Sequence, residues 1–150
     1  MRFEPVQRTL GILLMIFSFT MLPPALLSVL VADGAAHAFF VSFLVLLGLG
    51  GLLWLPVRST RRELRTRDGF LIVALFWAGL GTLAGLPLYL GVEPGMSITD
   101  AVFEGVSGLT TTGATVMVGL DHLPLSIRYY RQQLQWLGGM GIIVLAVAIL

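Results

Sequence analysis

Three stretches of the chain are apolar without interruption: Leu10–Ala32, Ala38–Val57 and Gly69–Val92 hold no Asp, Glu, Lys, Arg or His. Each reaches the roughly 20 residues that a helix needs to cross about 30 Å of hydrocarbon. A fourth uncharged stretch runs from Gln132 to Leu150 and is still apolar where the sequence stops, as expected of a piece of a longer chain. Pro23-Pro24 lies inside the first stretch; the rings remove two amide donors and crowd the preceding turn, so that helix is expected to bend without ending. Asp33-Gly34-Ala35-Ala36-His37 is a short polar turn that pairs the first two segments as a hairpin.

Between the third and fourth stretches the pattern changes. Residues 93–97 are rich in turn formers, with Glu93-Pro94-Gly95 as punctuation, and Ser97-Ile98-Thr99-Asp100 has the form of an N-cap followed three residues later by an acid. A helix is expected to begin near Ile98 and to stop near Leu109, because Gly108 and the Thr-Thr-Thr-Gly run are poor helix formers. At about 1.5 Å per residue it extends about 18 Å, too short to cross. If the third helix leaves the membrane outside and the last returns inward, the short helix and "TTTGAT" must dip in and come back on the same side. Non-helical backbone is tolerated at that depth only where protein covers it or where it lines a watery cavity. This is the outline of a pore loop. The helix directs the negative end of its dipole at the bilayer middle, and the following carbonyls and threonine hydroxyls can replace a cation's hydration shell. Gly113 permits positive φ, so successive carbonyls can turn to one side, and threonines are stiff, uncharged oxygen carriers. A monovalent cation, with potassium as the best fit, is the expected occupant.

Composition places all this in a bilayer: 57% of residues are hydrophobic, 11% are charged and the mean hydropathy is +0.94. The net charge of +1 and the scattered arginines give no surface for nucleic acid. With no cysteine, disulfides, zinc-thiolate sites and thiol catalysis are excluded. "RSTRRELRTRD", residues 58–68, carries five arginines against two acids and is expected to be cytoplasmic; Arg2 and Arg8 fall on the same side, so the N-terminus is inside. A cleaved signal peptide ending at Ala36-His37-Ala38 is the competing reading, disfavoured because the apolar run is too long for an h-region.

Other residues carry weaker signals. Glu104 sits four residues after Asp100 on the short helix, either bonding the backbone behind the loop or facing water or an arginine. Arg128 and Arg131, beside Tyr129 and Tyr130, read first as interfacial anchors. Glu93 and Asp121 are candidates for concentrating cations near the mouth. His37 and His122 stand far apart and suggest no metal site. Gly81-x-x-x-Gly85 and Gly138-Gly139-Met140-Gly141 lack the strand–turn–helix context of a nucleotide loop and point to close helix packing. No nucleophile–base pair is present to suggest an enzyme.

"DGFLIVALFWAGLGTLAGLPLYL", "ITDAVFEGVSGLTTTGATV" and "QLQWLGGMGIIVLAVAIL" together resemble the N-terminal part of TrkH-type potassium uptake proteins, of the Trk/Ktr/HKT superfamily. The resemblance implies four successive helix–pore-loop–helix units around one potassium pathway, preceded by an extra helix pair; this chain would supply the first unit. On that pattern residues 1–57 are the N-terminal transmembrane hairpin, 58–68 the cytoplasmic loop and 69–150 the first pore unit. Within that unit the outer helix is 69–92, the pore helix 98–109, the filter 110–114 and the inner helix 125–150. The potassium contacts it implies are the carbonyls of Thr111 and Thr112, with Thr110 and Gly113 beside them. It further implies low-affinity potassium uptake across a bacterial inner membrane, a homodimer, and a cytosolic nucleotide-binding regulator of the TrkA type. The expected fold class is an all-α polytopic membrane protein, without organic cofactor. A proton- or sodium-coupled symporter and an assembly module with no pathway of its own stand as alternatives.

Overall fold

The structure, a computed structural model, describes residues 3–59, 66–92 and 95–149. Arg2, residues 60–65 of the arginine-rich loop, the Glu93-Pro94 pair and Leu150 lie outside the described residues. The two prolines of the first apolar stretch shape its helix. Helix α1 (Phe3–Ser18) tightens into a 3-10 turn at Phe19–Met21, and α2 (Leu22–Val31) restarts with a proline in its first turn, where a missing amide costs no helical bond. The helix bends there, and Phe3–Val31 remains one span of 29 residues. Ala32, left-handed at φ 55°, ends it with its amide on the Ser28 carbonyl.

Helix α3 (Ala36–Trp54) runs back along α1, antiparallel, with Gln7 Nε2 donating to the Leu53 carbonyl at 2.9 Å. The third span is not one helix. α4 (Thr66–Leu83) stops, and α5 (Leu86–Gly91) begins after Ala84-Gly85, again with a proline in its first turn. Pro87 has no amide for the Leu83 carbonyl and its ring crowds that oxygen, which accounts for the break. The neighbouring Ala84 carbonyl is taken up by the buried Tyr130 hydroxyl at 2.8 Å.

The half-length helix α6 (Ile98–Leu109) and the long α7 (Leu125–Ile149) complete the fold. Ser97 caps α6, its hydroxyl accepting from the Asp100 amide at 3.1 Å. α4 and α6 touch backbone to backbone: a Cβ on Gly105 would stand 2.6 Å from the Gly81 carbonyl. Only glycine allows that approach. α7, at 25 residues or about 37 Å, is twice the length of α6.

One apolar core joins the hairpin to the later helices: Met21, Phe39 and Leu46 lie fully buried in contact with Leu88, Ile127, Tyr130 and Leu134. Phe39 meets Tyr130 edge to face at 5.5 Å. Leu26, Leu30, Leu44, Leu52 and Phe70 point outward instead. Among the described residues three helical spans, Phe3–Val31, Ala36–Val57 and Asp68–Gly91, are long and apolar enough to cross a membrane. Outward leucines on such helices are what lipid contact requires.

Candidate functional site

Helix α6 ends in a Schellman turn: the Thr111 amide donates to the Gly108 carbonyl at 3.0 Å and the Thr112 amide to the Ser107 carbonyl at 3.0 Å. The left-handed position of that turn is normally glycine; here it is Thr111, at φ 58°. A β-branched residue in that region is strained by about 1–3 kcal/mol. The Gly113 amide also turns back, to Ser107 at 3.3 Å, and Gly113 itself adopts φ 72°.

The amides of Thr111, Thr112 and Gly113 are thus committed to the helix end. Among the described residues no hydrogen bond reaches the carbonyls of Thr110, Thr111, Thr112 or Gly113, and all four residues are exposed. Donors are spent inward while four consecutive acceptors stay open. The Thr110 hydroxyl bonds the Val106 carbonyl at 2.8 Å and lies 2.9 Å from the Thr112 hydroxyl. The oxygens left over are the four main-chain carbonyls and the Thr111 hydroxyl.

Past this segment the chain is gripped by Glu104, which is 3% exposed. Its Oε1 accepts from the Thr115 hydroxyl and from the Val116 amide at 2.7 Å. Its Oε2 accepts both Arg131 Nε at 3.2 Å and Arg131 Nη2 at 3.0 Å. Ser107 adds a bond from its hydroxyl to the Ala114 carbonyl at 2.6 Å. One buried acid therefore ties three elements: the short helix, the returning segment and α7. Both sequence readings of Glu104 are realised at once, whereas Arg131 is no interfacial anchor, its guanidinium being turned inward. Arg128 is half-buried and lines an open groove with Tyr129 and Leu27.

Behind the returning segment, Glu104, Ser107, Gly108, Ala114, Arg131 and Gln135 enclose a cavity of about 10 Å³, the room of a single water. α7 presses directly on the end of α6 at Gly138, whose absent Cβ would collide with the Leu109 carbonyl. Gly108 faces Leu134 in the same way, at 3.1 Å.

Asp121 is exposed in the 3-10 turn Leu120–His122, and Glu93 lies outside the described residues. No group of three or more His, Cys, Asp or Glu able to hold a metal ion occurs among the described residues. The bond from the Ser126 amide to Asp33, the Gln133 Nε2 bond to the Thr20 carbonyl at 2.8 Å and the Tyr130 bond to Ala84 escaped sequence reasoning. Their only advance signal is the general need of buried polar groups for partners.

Fold and site define an all-α polytopic membrane protein with a buried ion pair behind a run of exposed main-chain carbonyls. The chain belongs to the TrkH family of cation transport proteins, whose profile matches residues 35–150. This is a family of transporters, not of enzymes. The Trk system potassium uptake protein TrkH of Halomonas elongata is 61% identical over 150 residues, covering 100% of this chain and 31% of that protein. TrkH of Escherichia coli K12 is 54% identical over the same length. The crystal structure of the potassium transporter TrkH from Vibrio parahaemolyticus superposes with a TM-score of 0.93 at 56% identity, covering 99% of this chain and 32% of that one. The chain thus spans about a third of the length of these relatives.

Proposed function

We propose that this chain supplies the first of four selectivity-filter segments of a protein that carries potassium across the bacterial inner membrane. The observation that carries the reading is the run of open carbonyls at Thr110–Gly113 whose own amides are bonded to the end of α6. Buried polar groups need partners, and a carbonyl in a membrane-embedded cavity finds one in water or in a cation. Potassium, as substrate, exchanges hydration oxygens for the carbonyls of Thr111 and Thr112, with Thr110 and Gly113 beside them. The C-terminal end of α6 adds a partial negative charge at the same point.

Residues 69–150 act as one outer-helix, pore-loop and inner-helix unit, entered from outside, behind the hairpin of residues 1–57. Arg8 and residues 58–68 then lie in the cytoplasm with the N-terminus. Three further units of the complete protein close the ring. A homodimer and a cytosolic nucleotide-binding regulator of the TrkA type complete the assembly. Potassium as the substrate is supported by the relatives' names as potassium uptake proteins, and the helical arrangement by the likeness to the Vibrio structure.

Gly113→Ser in the full-length protein tests the reading. A Cβ at φ 72° is strained and alters the carbonyl directions on either side. In cells lacking other potassium uptake, the variant is expected to reach the membrane normally and to lose most growth at low potassium. Unchanged potassium uptake would favour an assembly module without a pathway.

A further inference from the structure

Helix α7 begins without a cap of its own. Leu125 is its first residue, so Pro124 holds the N-cap position: the Pro124 carbonyl accepts the first helical bond, from the Arg128 amide at 3.1 Å, but proline has no side-chain oxygen to offer. No acid lies in the first turn of α7 either. The missing acceptor comes from elsewhere. The Ser126 amide, second in the helix, donates to Asp33 Oδ2 at 2.8 Å, across 93 residues of sequence. The second and third amides of a helix are the ones an N-cap side chain normally serves.

Asp33 is itself firmly held. Its Oδ1 accepts from the Ala35 amide at 3.2 Å and from the Ser28 hydroxyl, so its own turn orients it before it reaches α7. Burial raises its pKa, but the hydrogen bonds from Ser28, Ser126 and Ala35 outweigh this and leave it below the ordinary 3.8, so the capping group is an anion. An anion at the positive end of a helix is favourable. Ser28 and Ser126 are both buried, and Asp33 between them is half-buried.

The first turn and a half of α7 leads to Arg131, which grips Glu104 and through it the segment at Thr115–Val116. We propose that Asp33 is a positioning residue: from the turn of the N-terminal hairpin it caps α7 in place of Pro124 and so sets where Arg131 holds the pore loop. The inference rests on the proposed potassium pathway, and it gives the hairpin a part in selectivity.

The test uses the full-length protein in lipid nanodiscs for amide hydrogen exchange and the same variants in cells for potassium and sodium uptake. Asp33→Ala is expected to speed exchange at Ser126 about fivefold, the effect of a lost cap, and to lower potassium-over-sodium discrimination severalfold at equal membrane level. Adding Pro124→Asp, a local cap, is expected to restore both. Asp33→Asn keeps an acceptor oxygen and is expected to show smaller changes of the same sign, and it serves if Asp33→Ala does not accumulate. Unchanged Ser126 exchange in the variants overturns the cap. Faster exchange with unaltered discrimination overturns the positioning role. A wild-type protein that carries no potassium would refute the pathway instead, while the exchange data still decide the cap.

Discussion

Glu104 divides its two oxygens between the returning segment and Arg131. An acid inside a membrane helix is costly enough that the sequence flags it, and the structure shows two compensations at once. Breaking a buried ion pair on one side leaves the other charge stranded, at about 3–5 kcal/mol. Glu104→Gln in the full-length protein is therefore expected to lower thermal stability by roughly 3 kcal/mol and to weaken potassium selectivity. Glu104→Gln combined with Arg131→Gln is expected to recover much of the stability but not the selectivity. Melting in detergent and competitive uptake measure both, and a single variant that melts and selects like wild type contradicts this account of the site. Thr111 was less legible. Its positive φ follows from the Schellman turn, a geometry in which glycine is the usual signal, and threonine by itself suggests extended backbone.

Helix boundaries followed the local chemistry where that chemistry was polar. Ser97 and the glycine and threonine run bracket Ile98–Leu109, and both signals stand in the sequence. The break at Ala84-Gly85 was hidden because the apolar run continues across it, and hydropathy reports burial in lipid without reporting register. Gly85 and Pro87 were the available clues. The same limit applies to helix contacts: the glycines of α7 announce close packing but not the partner. The structure names it for Gly138, which faces the Leu109 carbonyl at the end of α6. Gly138→Ala is thus expected to push α7 from α6 and destabilise the full-length protein by about 1–3 kcal/mol. Gly79→Ala, with nothing within 4 Å of its added Cβ, is expected to be harmless. Equal melting temperatures for the two variants would contradict the packing.

At the scale of the molecule, the fold class was readable because spanning length and the absence of charge leave a chain few alternatives. The joining of the hairpin to α7 was not, since a bond between Asp33 and Ser126 has no local trace in the pattern. Nor do pattern and composition reveal that the open carbonyls and the Glu104–Arg131 pair sit back to back. On the proposed reading, the returning segment is held from behind so that its oxygens face a cation. The direct measurement is a crystal structure of the full-length protein with thallium in place of potassium, read by anomalous scattering. A peak in direct contact with the Thr111 and Thr112 carbonyls is expected. An absence of thallium there, with those carbonyls hydrogen-bonded to protein, would contradict it.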